Sequence, residues 1–401
     1  TEVLYDMERC GFAVDNNVLE RLDAEYTEKI ATAEKRIYEL AGEVFNINST
    51  KQLGEVLFER LNLPPVKKTK TGYSTNAEVL EKLADKHPMV RQVMEYRVLT
   101  KLKSTYADGL LKVIGPDGRI RTTFQNLVTA TGRLSSTDPN LQNIPVRTEL
   151  GSEIRKMFVP RPGWVFVDAD YSQIELRVLA HIAEDPLMQE AFRTGRDIHT
   201  ATAAQVFGVP PEEVTPLQRR HAKAVNFGIV YGISEFSLAE DIGVSRYEAK
   251  AYIDSYLDRY AGVRAYMREI VAEAKDRGYV TTLFGRRRYI PELKSSNYNI
   301  RQGAERIALN TPIQGTAADL IKLAMVRVDR ALEEAGLQAK LILQVHDELI
   351  VECPPEEAEQ VRAIVDQVQA MEAPEEKEPW TVNFYPEGGD VGIIEIILKK
   401  S

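Results

Sequence analysis

Leu343-Gln344-Val345-His346-Asp347-Glu348-Leu349-Ile350-Val351 sets two apolar runs around a polar His-Asp-Glu core. The pattern predicts two strands joined by a tight turn, with carboxylates at the tip. Far upstream, Val165-Phe166-Val167-Asp168-Ala169-Asp170 reads as another apolar strand. It ends at Asp170 and runs through Tyr171, Ser172 and Gln173 into a helical segment carrying Glu175. Each aspartate alone has an ordinary reading, Asp170 as a strand-end or helix-capping residue and Asp347 as turn chemistry. Together, two strand-end aspartates from distant parts of a chain can hold two divalent cations. Such a pair of ions stabilises both the attacking and the leaving oxygen of a phosphoryl transfer. Glu348 follows Asp347 directly and is expected on the opposite face of the pleat, so it is given a supporting catalytic role.

Between the two carboxylate segments lie Arg219, Lys223, Phe227 and Tyr231, each four residues from the next. At helical spacing they form one stripe that starts cationic and ends aromatic. Cations suit a triphosphate, and aromatic faces suit a base and a sugar.

These three segments, in this order, resemble motifs A, B and C of the family A DNA polymerases. Thr131-Gly132-Arg133-Leu134-Ser135-Ser136 and Asn310-Thr311-Pro312-Ile313-Gln314-Gly315-Thr316-Ala317-Ala318-Asp319 resemble further signatures of that family. The resemblance runs from residue 1 to the upper 360s. It implies an α+β right-hand polymerase fold, with an antiparallel-sheet palm and mainly helical thumb and fingers. The expected division is 1–114 thumb with a short palm-proximal start, 115–185 palm, 186–305 fingers, and 306–401 palm again.

The resemblance also implies roles. Asp170, Asp347 and the backbone carbonyl of Tyr171 would hold two Mg²⁺ ions, with Mn²⁺ able to substitute. Lys223 would protonate the leaving pyrophosphate, and Arg219 would grip phosphates. Tyr171, Gln173, Glu175, His199, Phe227 and Tyr231 would complete the deoxynucleoside triphosphate site. Within it Glu175 would exclude a 2′-hydroxyl, Phe227 would reject dideoxynucleotides, and Tyr231 would gate the templating base. Primer-template DNA would meet Arg133, Arg306, Asn310, Gln314 and His346. Lys67, Lys68 and Lys70, in a basic turn-rich loop, would meet duplex phosphates at the thumb tip. The implied activity is template-directed DNA synthesis by a monomer in the bacterial cytoplasm, associated with the nucleoid. The family's proofreading domain precedes the thumb; this chain starts at the thumb without a Met, as a fragment or processed product, and is expected not to edit. A single-subunit RNA polymerase is the rival enzyme, opposed by Glu175. A DNA-binding fragment without catalysis is the rival from another class.

Composition agrees with this reading. The 401 residues carry a net charge of −9, unusual for a nucleic-acid binder. From Glu352 to Ser401, however, 12 acidic residues face 4 basic ones, so residues 1–351 carry only −1. A near-neutral body can still present a basic groove if its charges are segregated. Cys10 and Cys353 are too few for a disulfide framework, which fits a reducing compartment. No apolar run reaches the roughly 20 residues of a membrane span. Arg286-Arg287-Arg288 reads as a solvated turn after Gly285 and is given no site. After Gln369 the text departs from the family's closing pattern. It reads as a hairpin with Ile393–Leu398 as one strand, an engineered end in expectation.

Overall fold

The computed structural model describes residues 1–69, 72–145, 149–369 and 396–397. The chain forms two compact units. One comprises Gly11–Thr122 and Asn143–Val159, the other Thr1–Cys10, Thr123–Gln142 and Pro160–Ser401.

The first unit is built on helix α1, Asn16–Ala41, capped by Asp15, whose carboxylate accepts from the Asn17 and Val18 amides at 3.0 and 3.3 Å. Leu19, Leu22, Tyr26, Ala33 and Ile37 recur at helical spacing and are buried. They face helix α2, Pro88–Leu102, which buries Met89, Val90, Val93, Tyr96 and Leu99. Leu53, Leu57, Val79 and Leu83 complete this core. Gly115-Pro116-Asp117-Gly118 makes the predicted turn, with the Gly115 amide donating to Arg119 at 2.9 Å.

The units cut across the expected division. Residues 143–159 belong with 11–122 because the chain returns there: the Asp15 amide donates to the Met157 carbonyl at 2.8 Å, and the Val159 amide to Ala13 at 3.1 Å.

The second unit is organised by a four-stranded antiparallel sheet. Its elements, in chain order, are strand β1 (Val165–Asp170), helices α3 (Ile174–Ile182), α4 (Ile198–Phe207) and α5 (Pro216–Val230), strands β2 (Tyr279–Thr281) and β3 (Arg287–Tyr289), helix α6 (Tyr298–Glu334), and strands β4 (Lys340–Val345), β5 (Glu348–Cys353) and β6 (Ile396–Ile397). The sheet order is β4-β5-β1-β6. Adjacent Phe166 and Val167 point to opposite faces, yet both are buried, so helices cover both faces of β1. Each such side chain contributes roughly 1.5–3 kcal/mol by leaving water. The protein is α+β, as expected. Strand β6 falls inside the stretch read as Ile393–Leu398, pairing Ile396 with Val167 and Ile397 with Phe166. The rest of that predicted hairpin lies outside the described residues, as does Lys70.

Helix α6 begins at Tyr298 and runs 37 residues, through the expected 305/306 boundary. Gly303, Pro312 and Gly315 lower its intrinsic propensity. Packing overrides them: Ala304, Ala308, Ile313, Ala317, Ile321 and Val328 are buried along its length. Among the described residues no helix is long and apolar enough to cross a membrane.

Candidate active site

Strand β5 places the carboxylates. It pairs with β1 so that Glu348 stands directly opposite Asp170, and Val167 opposite Val351. Direct cross-strand partners share a face, with Cβ atoms about 5 Å apart. Glu348 therefore belongs to the face of Asp170. The expected alternation with Asp347 does not apply, because Asp347 is not in the pleat. It occupies a two-residue turn with His346, between the paired residues Val345 and Glu348. His346 has φ +55°, which the tightest hairpin turns require. The Tyr171 amide donates to the Asp347 carbonyl at 3.0 Å, tying the hairpin tip to the end of β1. The Tyr171 carbonyl accepts from the Ile174 amide at 3.3 Å.

This crowding has an electrostatic signature. Burial, then the neighbouring charges of Asp347 and Glu348, push the Asp170 carboxyl up to about 7. Burial also raises Asp347, partly offset by its own backbone amide and by Arg133. Two buried carboxylates that resist ionising together suit an added cation, and their oxygen donors suit Mg²⁺. No group of three or more His, Cys, Asp or Glu side chains forms a ready cage among the described residues. Mg²⁺ usually keeps waters and substrate phosphates as its other ligands, so two carboxylates and a carbonyl fit it.

Helix α3 is capped by Gln173, whose φ of +55° turns the chain sharply after the strand and whose buried Oε1 has no partner among the described residues. Two residues later Glu175 is only 6% exposed. Arg133 Nη2 donates to its Oε1 at 2.6 Å, and the Tyr231 hydroxyl to its Oε2 at 2.8 Å. Both carboxylate oxygens are thus fixed. Burial, then Glu175, raises the Tyr231 phenol, so Tyr231 remains a donor at neutral pH.

Helix α5 starts with a capping box, Thr215 and Gln218 each satisfying the other's backbone amide. It carries Arg219, Lys223 and Phe227 and ends at Val230, so Tyr231 is its cap rather than part of the stripe. Lys223 is exposed, its ammonium 5.9 Å from the Phe227 ring centre. Arg219 Nε donates to Asp197 at 2.7 Å. Burial opposes charge on Asp197, but hydrogen bonds from Arg219 and Thr200 outweigh it and hold its carboxyl near 2.

His199 is only 2% exposed. Its Nδ1 lies 2.9 Å from Asn226 Nδ2, and its ring centre 5.7 Å from that of Phe227. Since the amide nitrogen can only donate, Nδ1 accepts and the proton of neutral His199 sits on Nε2. Burial, reinforced by Lys223 and Arg219, drives its pKa down to about 4. Asn226 is held by Thr202 at 3.1 Å. Neither Asn226 nor Thr202 was singled out in the sequence, where both read as ordinary helix residues.

The expected DNA-contact residues are distributed along the same unit. Arg306 is exposed on α6, and Asn310 and Gln314 are half-buried one and two turns on. Among the described residues, buried Asn310 Nδ2 has no partner, and neither does Nδ1 of His346. In the other unit, exposed Lys67 and Lys68 flank a small hairpin, where Lys68 lies 5.4 Å from the Tyr73 ring centre.

Arg286 is exposed beside the turn, as read, yet its Nε and Nη2 both donate to Asp319 Oδ1, at 2.9 and 2.6 Å. Arg288 Nη1 donates to Thr311 at 3.1 Å.

A sheet that gathers carboxylates at one end, beside a helix presenting a cation and an aromatic ring, is the polymerase layout. The model of DNA polymerase family A matches residues 16–384, and the chain belongs to that family. The match extends past the upper 360s, where the resemblance was expected to stop. Over 368 residues the chain is 57% identical to a DNA polymerase I of Geobacillus stearothermophilus and 58% to one of Bacillus subtilis (strain 168). Each alignment covers 91% of this chain and 42% of the relative, so the chain spans about two fifths of their length. A solved structure described as the POL domain of Pol1 from M. smegmatis, in complex with DNA primer-template and dNTP, superposes with a TM-score of 0.88 at 48% identity. That match covers 92% of this chain and 65% of the other.

Proposed function

We propose that this chain is a DNA-templated DNA polymerase that extends a primer 3′-hydroxyl with deoxynucleoside triphosphates. The observation that carries the reading is the meeting of Asp170 and Asp347 at one sheet end, through the Glu348–Asp170 register and the Tyr171–Asp347 hydrogen bond.

Asp170, Asp347 and the Tyr171 carbonyl would hold two Mg²⁺ ions, Mn²⁺ being able to substitute. When bound, such ions acidify the attacking hydroxyl and neutralise the leaving pyrophosphate. The primer oxygen forms a bond to the α-phosphorus, the bond from that phosphorus to the bridging oxygen of pyrophosphate breaks, and the hydroxyl proton is lost. Lys223, exposed on α5, is placed to give a proton to the pyrophosphate. Arg219 is aimed by Asp197, and His199 offers Nε2–H as a neutral donor rather than as a cation.

Glu175 excludes a 2′-hydroxyl because both its oxygens are already engaged and its side chain cannot swing aside. Phe227 supplies a ring without a hydroxyl at the sugar. Arg133, Arg306, Asn310, Gln314 and His346 meet primer and template, and Lys67 and Lys68 meet duplex phosphates. The chain acts as a monomer in the bacterial cytoplasm. These roles rest on the family resemblance and the geometry above.

Primer extension with Mg²⁺ tests the reading. Template-dependent addition of deoxynucleotides, with ribonucleotides refused, is expected. Addition of ribonucleotides alone would favour the RNA polymerase alternative, and binding without extension would reject catalysis.

A further inference from the structure

Arg286 has no role in the chemistry above, yet it lies beneath the loop that delivers Arg133. The loop runs Thr129-Ala130-Thr131-Gly132-Arg133. Its shape is fixed internally by the Gly132 amide donating to Thr129 at 3.2 Å and the Thr129 hydroxyl donating to the Arg133 carbonyl at 2.5 Å. Its floor is the Arg286 side chain. A Cβ on Gly132 would come within 2.6 Å of Arg286 Nε and 2.8 Å of Cζ, and Gly132 has φ +84°. Only glycine allows the backbone to lie flat on the guanidinium.

That guanidinium is itself immobilised. It donates twice to Asp319, which accepts the Thr282 hydroxyl on its other oxygen at 2.8 Å. Thr282 also receives the Arg286 amide at 3.1 Å, so the turn between β2 and β3 is closed onto the same carboxylate. The Leu283 amide donates to Thr316 at 3.1 Å. From the α6 side, a Cβ on Gly315 would meet Thr282 at 2.6 Å and the Thr131 carbonyl at 3.3 Å. Helix α6 and the loop thus come together at Gly315, with the Thr282 and Arg286 side chains packed against them from the turn. The end of this stack is Arg133 Nη2 on Glu175.

We propose that Arg286, braced by Asp319, is a positioning residue that sets Arg133 and through it Glu175, and so contributes to sugar selection. The selectivity part rests on the reading of Glu175 above; the positioning part does not. A lysine at 286 keeps the charge toward Asp319 but loses the forked geometry and the flat surface under Gly132. A purely structural role would lower overall activity or stability without changing the ratio of deoxy- to ribonucleotide incorporation.

The experiment compares wild type, Arg286→Lys, Gly132→Ala, Arg133→Ala, Arg286→Lys/Arg133→Ala and Glu175→Ala, each checked for a cooperative thermal transition. Two quantities are read: amide hydrogen exchange at Gly132 and Arg133, and the ratio of kcat/KM for deoxy- over ribonucleotide. Arg286→Lys should speed exchange at these amides at least tenfold while β1 amides are unchanged. It should lower the ratio at least fivefold, with no further loss when added to Arg133→Ala. Gly132→Ala, which pushes on Arg286 from above, should do the same and stands in if Arg286→Lys does not fold. Unchanged exchange in the folded variants would overturn the positioning role. Faster exchange with an unchanged ratio, where Glu175→Ala does change it, would overturn the link to selection. If Glu175→Ala leaves the ratio unchanged, the reading of Glu175 fails, and positioning is decided by the exchange data.

Discussion

Tyr231 donates its hydroxyl to Glu175 at 2.8 Å, so the cap of helix α5 is bonded to the first turn of α3. The bond couples the helix that presents Lys223 and Phe227 to the side chain proposed to measure the sugar. Movement of α5 must stretch or carry this bond.

Glu175→Ala removes the group on which Arg133 and Tyr231 converge. Ribonucleotide incorporation should rise by about 10- to 200-fold, the usual discrimination of a small steric difference. Tyr231→Phe leaves Glu175 held by Arg133 and should give a smaller rise. Single-nucleotide incorporation with matched deoxy- and ribonucleotides measures both, and equal refusal in all three proteins would count against the assignment.

Phe227→Tyr adds one hydroxyl beside the sugar site without disturbing the His199 ring contact. Dideoxynucleotide acceptance should increase, with ordinary extension retained. Competition between the two nucleotides on one primer checks this; an unchanged termination ratio would remove Phe227 from the sugar site.

Asp170→Ala and Asp347→Ala should each depress turnover by at least a thousandfold, since oxyanion stabilisation by a metal contributes several kcal/mol. Duplex affinity should change little. Retention of turnover within tenfold, only ~1.4 kcal/mol, would mean that the carboxylates do not serve the chemistry.

Much of this site was legible beforehand because its residues carry local patterns. Strand β1 and the β4-β5 hairpin are apolar runs with polar ends, and α5 is announced by its four-residue spacing. What was lost is tertiary. Glu348 was placed by pleat alternation, which a two-residue turn interrupts. Arg286 sits in a run of three arginines that looks solvated, and its partner Asp319 is 33 residues away. Pro312 and Gly315 discourage helix locally, yet the long α6 runs through both. Gly315 is instead where α6 closes on the Thr131 carbonyl and Thr282.

His199 predicts a pH dependence of stability. Its pKa falls from 6.5 to about 4 on folding. Between these values the unfolded chain binds the extra proton, so stability rises with pH through this window and is fully present above about 6.5. The contribution is on the order of 3 kcal/mol. Raised Asp170 works in the opposite direction, so a comparison is needed. Urea unfolding at pH 7.5 and 5 should show a smaller loss on acidification in His199→Gln than in wild type. Equal losses would mean that His199 is not buried as a neutral ring.

Lys67 and Lys68 are the described part of the basic loop, and both are exposed. A solvated connector and a phosphate-binding loop look alike in composition, but they differ in salt dependence. Each phosphate neutralised by a cationic side chain releases condensed counterions and steepens the fall of log affinity with log salt by about 0.9. Lys67→Gln/Lys68→Gln should therefore weaken primer-template binding and make that slope shallower by about 1 to 2, whatever the DNA sequence. Lys68 also lies over Tyr73, so the pair should be compared with Tyr73→Leu, which removes the ring and keeps both charges. A shallower slope in the lysine variant but not in Tyr73→Leu assigns the effect to phosphate contact. An unchanged slope, with or without a loss of affinity, would leave the loop a connector. At saturating DNA, kcat should stay near wild type, because neither lysine belongs to the unit that holds Asp170 and Asp347.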